Sequence, residues 1–297
     1  MAMKNRGKKK TELMIGGQAV IEGVMMRSKE YYAVAVREPN GNISLKKERY
    51  ISITQKNKFL GSPFVRGIIA LYETLVLGMR TLNYSANKAL GETDEKSGLK
   101  TPELVVTFII SIALALGLFK FLPLLGATWI NKALHGGNLV FNIIDGVIKI
   151  SVLLIYLWLI GLIKDVRVLF QYHGAEHKAV ACYEEGLALT PENAKKHSNC
   201  HPRCGTSFIL IVLFLSIIFY LFIPLSVGFW AKLGIRILFL PLIAGIAYEW
   251  IKFSSKHPKE WYSKVLIAPG LLIQRLTTRN PTKKQLEVAI KALKAVI

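Results

Sequence analysis

Apolar residues are gathered into long runs in the middle of this chain and scattered into short ones at its ends. Residues 104–127 are broken only by Lys120 and Pro123, and residues 139–163 carry Asp145 and Lys149 in their first half alone. Residues 206–231 hold no charge, and residues 233–251 are interrupted by Arg236 and closed by Glu249. A helix rises about 1.5 Å per residue, so roughly 20 residues cross a hydrocarbon core of about 30 Å. The pattern predicts four transmembrane helices.

The flanks read differently. Two alternating runs separated by "PNGN" at 39–42 predict a β-hairpin, with strands near 31–38 and 43–53. Gly16 and Gly17 lack the strand–GxGxxG–helix setting of a dinucleotide site, so they read as a tight turn. Residues 59–90 have helical periodicity, with Arg66, Glu73 and Arg80 seven apart on one polar stripe opposite Leu, Ile and Val. Such a helix lies on the membrane surface or packs beside the spans. "GETDEKSGLKTPE" at 91–103 is a polar linker, and Asn280–Pro281 reads as N-cap and first residue of a last helix over 281–296.

The expected architecture is therefore mainly α: a polytopic membrane protein with about four transmembrane helices, a small N-terminal β-hairpin region and a helical C-terminal tail. It divides into a cytoplasmic region with the hairpin (1–58), an amphipathic helix and linker (59–100), the four-helix membrane region (101–252) with a connection at 164–205, and a cytoplasmic tail (253–297). No 20–50-residue repeat is apparent. A basic start with no apolar stretch behind it gives no sign of a signal peptide.

Charge sets the expected orientation. Of 39 Lys and Arg, 18 lie in residues 1–103, 6 in 164–205 and 10 in 252–297. With four spans these basic regions share one side, which the positive-inside rule makes the cytoplasm of a cell-membrane protein. The formal charge of +20 then reflects topology and attraction to anionic lipid headgroups. A nucleic-acid partner is not expected, because no basic groove interleaved with aromatics and no binding motif appears. Cys182, Cys200 and Cys204 would be reduced, and their odd number does not suggest a disulfide scaffold.

Chemistry concentrates in the connection. His173 and His177 stand four apart, on one face of a helix predicted to run on from the second span. With Glu176 they form H-x-x-E-H, in which both histidines bind zinc and the glutamate is the general base. Cys200, His201 and Cys204 follow at common ligand spacing, and thiolates with imidazoles suit zinc. Two histidines with Cys200 and Cys204 would close a structural shell; two histidines plus one ligand would leave a catalytic position open. Glu184, Glu185 and His197 are further candidates for the third ligand, and spacing does not choose among them. Asp145 and Lys149, four apart, read as an ion pair, with a proton or ion path as the sharper alternative. Cys182 reads as a packed thiol, and Glu22 and Arg27 as solvated charges.

"GGQAVIEGVMMRS" (16–28), "YHGAEHKAVACYE" (172–184), "HPRCGTSF" (201–208) and "APGLLIQRLTTRNP" (268–281) resemble the bacterial YqhQ family over nearly the whole length. That family consists of uncharacterised membrane proteins described as predicted metal-dependent enzymes. The resemblance implies a membrane protein with a metal-dependent activity on an unidentified substrate. A membrane scaffold with structural zinc, or a small-solute or ion transporter, are the competing expectations.

Overall fold

A computed structural model describes residues 15–91, 101–202, 204–256 and 260–297. The basic leader, most of the polar linker, Arg203 and His257 lie outside the described residues. Four strands form an antiparallel meander: β1 (Gly16–Val20), β2 (Gly23–Arg27), β3 (Tyr31–Arg37) and β4 (Ile43–Arg49). The expected hairpin is β3–β4, turning through Gly41 at φ +87°. The second strand ends earlier than expected, because Ser52 caps a short helix α1 (Ile53–Lys56).

The reading of Gly16 and Gly17 as a tight turn is corrected: both are strand residues, paired with Arg27 and Met26. The turn lies further on, at Ile21 and Glu22, where Glu22 adopts φ +50°. Two-residue hairpin loops call for positive φ, and no Asn or Gly marks this one. Both faces of β2 and β3 are covered, so the period-2 signal is blurred. Val24, Met26, Ala33 and Ala35 point into one core, and Val20, Met25, Val34 and Val36 into another on the opposite face.

Helix α2 (Val65–Ala89) covers the second face through Leu77. Its expected polar stripe is turned inward over part of its length. Glu73 is buried and accepts hydrogen bonds from Ser52 Oγ and the Ile53 amide, and Arg66 pairs with Glu249. Ile68, Leu71, Tyr72, Leu75 and Leu82 face outward. The helix therefore packs beside the apolar helices, by its small and polar residues.

The apolar region comprises α3 (Thr101–Leu116), a π-helical turn at Gly117–Phe121, α4 (Leu122–Leu134) and α5 (Asn138–Ile160). Next come α6 (Lys164–Glu184), α7 (Pro191–Lys195), α8 (Thr206–Tyr220), α9 (Phe229–Leu238) and α10 (Leu240–Lys256). Three segments are long and apolar enough to cross a membrane: Val105–Leu134, Asn138–Ile160 and Phe229–Ser254. The apolar run expected to span at 206–231 gives only the 15 residues of α8, about 22 Å at 1.5 Å per residue. It nevertheless joins the two ends of the bundle, since Cys204 precedes it and the Leu221 carbonyl beyond it accepts from Asn138 Nδ2, at the start of α5.

Helices α11 (Trp261–Thr277) and α12 (Lys283–Val296) complete the fold. The last helix starts two residues later than expected. Thr282, not Asn280, is the N-cap, in a reciprocal capping box with Gln285. Leu286, Ala289, Ile290 and Leu293 of α12 pack with Tyr172, Ala175, Ala179 and Val180 of α6 against the first face of the sheet. The chain is thus layered as α2, sheet, then α6 with α12, beside the apolar helices.

Candidate metal centre

Helix α6 does not run on from α5 as its sequence predicts: the helix breaks at residues 161–163, where Ile163 is extended, and restarts at Lys164. Its i, i+4 spacing brings the rings of His173 and His177 to a centroid separation of 4.4 Å. Each ring is oriented through Nδ1. His173 Nδ1 lies 2.9 Å from the Thr277 carbonyl at the end of α11, and His177 Nδ1 2.5 Å from the Asn199 carbonyl. A carbonyl can only accept, so both Nδ1 atoms donate, and in the neutral tautomer this leaves the lone pair on Nε2.

Those lone pairs meet Cys204. Its sulfur is 3.2 Å from His173 Nε2, and one ligand atom each from His173, His177 and Cys204 lies within 4.8 Å of the others. Donors bound tetrahedrally to one zinc ion at 2.0–2.3 Å are separated by about 3.3–3.8 Å, so the group is near that geometry. His177 Nε2 is buried with no hydrogen-bond partner. Burial holds the His177 imidazole below its ordinary pKa, partly offset by Cys204, which favours the neutral ring that a ligand must be.

Glu176 lies beside this group. Its Oε2 is 3.5 Å from His177 Nε2, and with a neutral imidazole this is proximity rather than an ion pair. Burial raises the carboxyl above the usual carboxylate range, against the lowering effects of His173, His201 and a hydrogen bond from the Gly17 amide. Gly17 is required there: a Cβ would stand 2.5 Å from the Met25 carbonyl oxygen and 3.0 Å from Glu176 Cγ.

The other candidates have partners of their own, although the His201 ring lies beside that of His177, at a centroid separation of 5.8 Å. Cys200 Sγ is directed to the Leu271 carbonyl at 3.8 Å. His201 is bracketed by Gln274, which accepts from its amide at 2.8 Å and donates to its carbonyl at 3.0 Å, and its Nε2 lies 3.3 Å from Glu184. His197 lies 3.4 Å from Glu185. Among the described residues, the convergent donors are the two histidines of α6 and the cysteine before α8. Cys182 is the packed thiol expected of it. Glu22 and Arg27, expected to be solvated, are engaged: Tyr172 OH donates to Glu22 at 3.1 Å, and Arg27 lies 4.5 Å over the Tyr50 ring.

A family model described as "Protein of unknown function (DUF1385)" matches residues 62–297. The "Uncharacterized protein YqhQ" of Bacillus subtilis (strain 168) is 32% identical over 293 residues, 95% of this chain and 92% of that protein. The chain belongs to this family. No solved structure matches it. Membership of the YqhQ family brings no activity with it, since neither description names one.

Spacing alone does not reveal the residues that orient the site. The Thr277 and Asn199 carbonyls, Gln274 and the Gly17 amide come from three separate stretches of the chain. Three of those residues, Gly17, Gln274 and Thr277, fall inside the quoted YqhQ-like segments, and that is the signal by which they could be found. Gly174, in the middle of α6, is a second signal. A Cβ there would lie 2.2 Å from the Arg279 carbonyl oxygen, so only glycine lets the 278–281 segment run against the helix.

Proposed function

We propose that this protein is a multi-pass protein of the cell membrane with a cytoplasm-facing zinc site of the H-x-x-E-H kind, acting as a metal-dependent hydrolase. One observation carries the reading: His173 Nε2, His177 Nε2 and Cys204 Sγ converge, with the Glu176 carboxylate 3.5 Å from one of them. Three protein donors leave one position of a tetrahedral ion open, as in catalytic rather than structural zinc. The separate engagement of Cys200 and His201 supports this over a closed Cys2His2 shell.

The donor set fits a borderline cation, because imidazole and thiolate are what zinc prefers, and the His177 Nε2 atom is buried without another partner. Zinc would supply Lewis acidity and lower the pKa of water at the site. Glu176 is the base: it takes a proton from the attacking water and returns it to the leaving group as the bond to the electrophilic centre breaks. The Gly17 amide fixes the carboxylate, and the Thr277 and Asn199 carbonyls hold the imidazoles in the ligating tautomer.

Counting α8 as a fourth crossing puts both termini, the sheet and the site on the basic, cytoplasmic side, where the Lys- and Arg-rich segments meet anionic headgroups. A second reading, a scaffold braced by structural zinc, is favoured by how many elements the site ties together. Glu176→Gln separates them. In the enzyme it keeps metal and fold while function falls by roughly 10² to 10⁴, the loss expected for a general base. In the scaffold it is nearly silent. A deletion phenotype in the host, rescued or not at matched protein level, reads the difference. Rescue by Glu176→Gln overturns the hydrolase.

A further inference from the structure

The expected Asp145–Lys149 pair belongs to a larger group at the end of the apolar helices away from the metal centre. Lys149 Nζ donates to Asp145 Oδ2 at 2.5 Å, and Arg236 Nη1 to Oδ1 at 2.8 Å, so both carboxylate oxygens are used. All three side chains are at most 3% exposed. The Tyr220 ring lies 4.5 Å from both the Lys149 ammonium and the Arg236 guanidinium, and its hydroxyl donates to the Arg236 carbonyl and accepts from Lys120 at 3.2 Å. Lys232, one turn before Arg236, donates to the Leu225 carbonyl at 3.0 Å.

Lys120 is delivered by the π-helical turn, in which the Leu122 amide bonds back to the Gly117 carbonyl. Pro123 has no amide to continue the ladder, which accounts for the break. Such turns in α-helices are frequent at functional sites. Here the turn sets a half-buried lysine against Tyr220.

Lys149 and Arg236 thus share one carboxylate; Lys120 is joined to them through Tyr220, and Lys232 lies with Arg236 over the Phe141 ring, at 4.9 and 5.5 Å. The other acid in the three long apolar segments, Glu249, is taken by Arg66 at the opposite end. Arg236 Nε is buried with no hydrogen-bond partner. Uncompensated charge at membrane depth is expensive, and positive charges gathered there repel one another unless an anion joins them. We propose that Lys120, Lys149, Lys232 and Arg236 form an oxyanion-binding site for a phosphate-type group. Charge-assisted hydrogen bonds to a planar guanidinium and to ammonium groups are the chemistry that recognises such a group. A free phosphate and the phosphodiester of an anionic lipid present the same oxygens.

The test uses the full chain in nanodiscs, with thermal unfolding and native mass spectrometry as readouts. One arm adds inorganic phosphate to discs of phosphatidylcholine, against chloride at equal ionic strength. The other replaces part of the phosphatidylcholine with phosphatidylglycerol. Stabilisation in the first arm identifies a free anion; stabilisation with retained lipid in the second alone identifies a headgroup. Either response should weaken roughly tenfold or more in Lys120→Met, which loses one charge-assisted contact. Lys232→Met, closer to the helix end, serves if the first variant does not fold. No stabilisation in either arm, or an undiminished response in the folded variant, overturns the site.

Discussion

At the scale of single residues, the candidate centre depends on two close approaches that only glycine permits. Gly174→Ala would place a methyl group 2.2 Å from the Arg279 carbonyl oxygen, which is backbone and cannot rotate away. The 278–281 segment would have to withdraw, taking with it the Thr277 carbonyl that orients His173. The expected outcome is a destabilisation of about 1–3 kcal/mol from overpacking, with metal affinity lowered about 10- to 100-fold through the lost orienting bond. Thermal unfolding and a zinc titration measure the two. Gly16→Ala is the matched control, because nothing lies within 4 Å of the added carbon. H-x-x-E-H was readable because the i, i+4 rule fixes it locally. The choice of Cys204 over Cys200 was not, since it depends on Gln274 and Leu271, some seventy residues away.

At the scale of elements, α2 shows what periodicity can and cannot convey. The seven-residue spacing of Arg66, Glu73 and Arg80 defines a stripe, but not which side the protein buries. A helix beside a membrane can hide its polar residues and expose its apolar ones, the reverse of a helix in water. Glu73 makes the difference measurable. Glu73→Ala leaves Ser52 Oγ, the Ile53 amide and nearby Arg27 without their acceptor. It should destabilise the protein by about 1–3 kcal/mol, the penalty of unsatisfied buried groups. Arg80→Ala, at an exposed position, should stay within about 0.5 kcal/mol. The β1–β2 hairpin escaped the sequence reading for a related reason. Its turn is Ile21–Glu22 rather than Asn–Gly, and Gly23–Arg27 is covered on both faces, so neither turn chemistry nor alternation announced it. The capping box Thr282–Gln285, by contrast, is a T-x-x-Q pattern legible in the sequence, just beyond the Asn280–Pro281 pair.

At the scale of the whole molecule, the proposed centre sits where the apolar helices meet the layered region. α6 leaves α5, Cys204 leads into α8, and Thr277 closes α11. This position follows from connectivity, and it requires α8 to cross. Reporters placed near residue 190 and after residue 297 should both read cytoplasmic, and one in the 221–228 connection should read outside. A cytoplasmic reading at 221–228 would mean that α8 does not cross, and the site would no longer share a side with the C-terminus. The division into apolar middle and charged flanks was legible from hydropathy alone. The meeting of sheet, α6 and α12 was not, because it joins residues more than two hundred positions apart. The central claim is a three-donor centre, and cobalt substitution tests it most directly. The full chain loaded with cobalt should show sulfur-to-metal charge-transfer absorption that is lost in Cys204→Ser, lost in the His173→Ala, His177→Ala pair, and unchanged in Cys200→Ser. Equal partial losses in the two cysteine variants, or no such absorption in the unaltered protein, would contradict it.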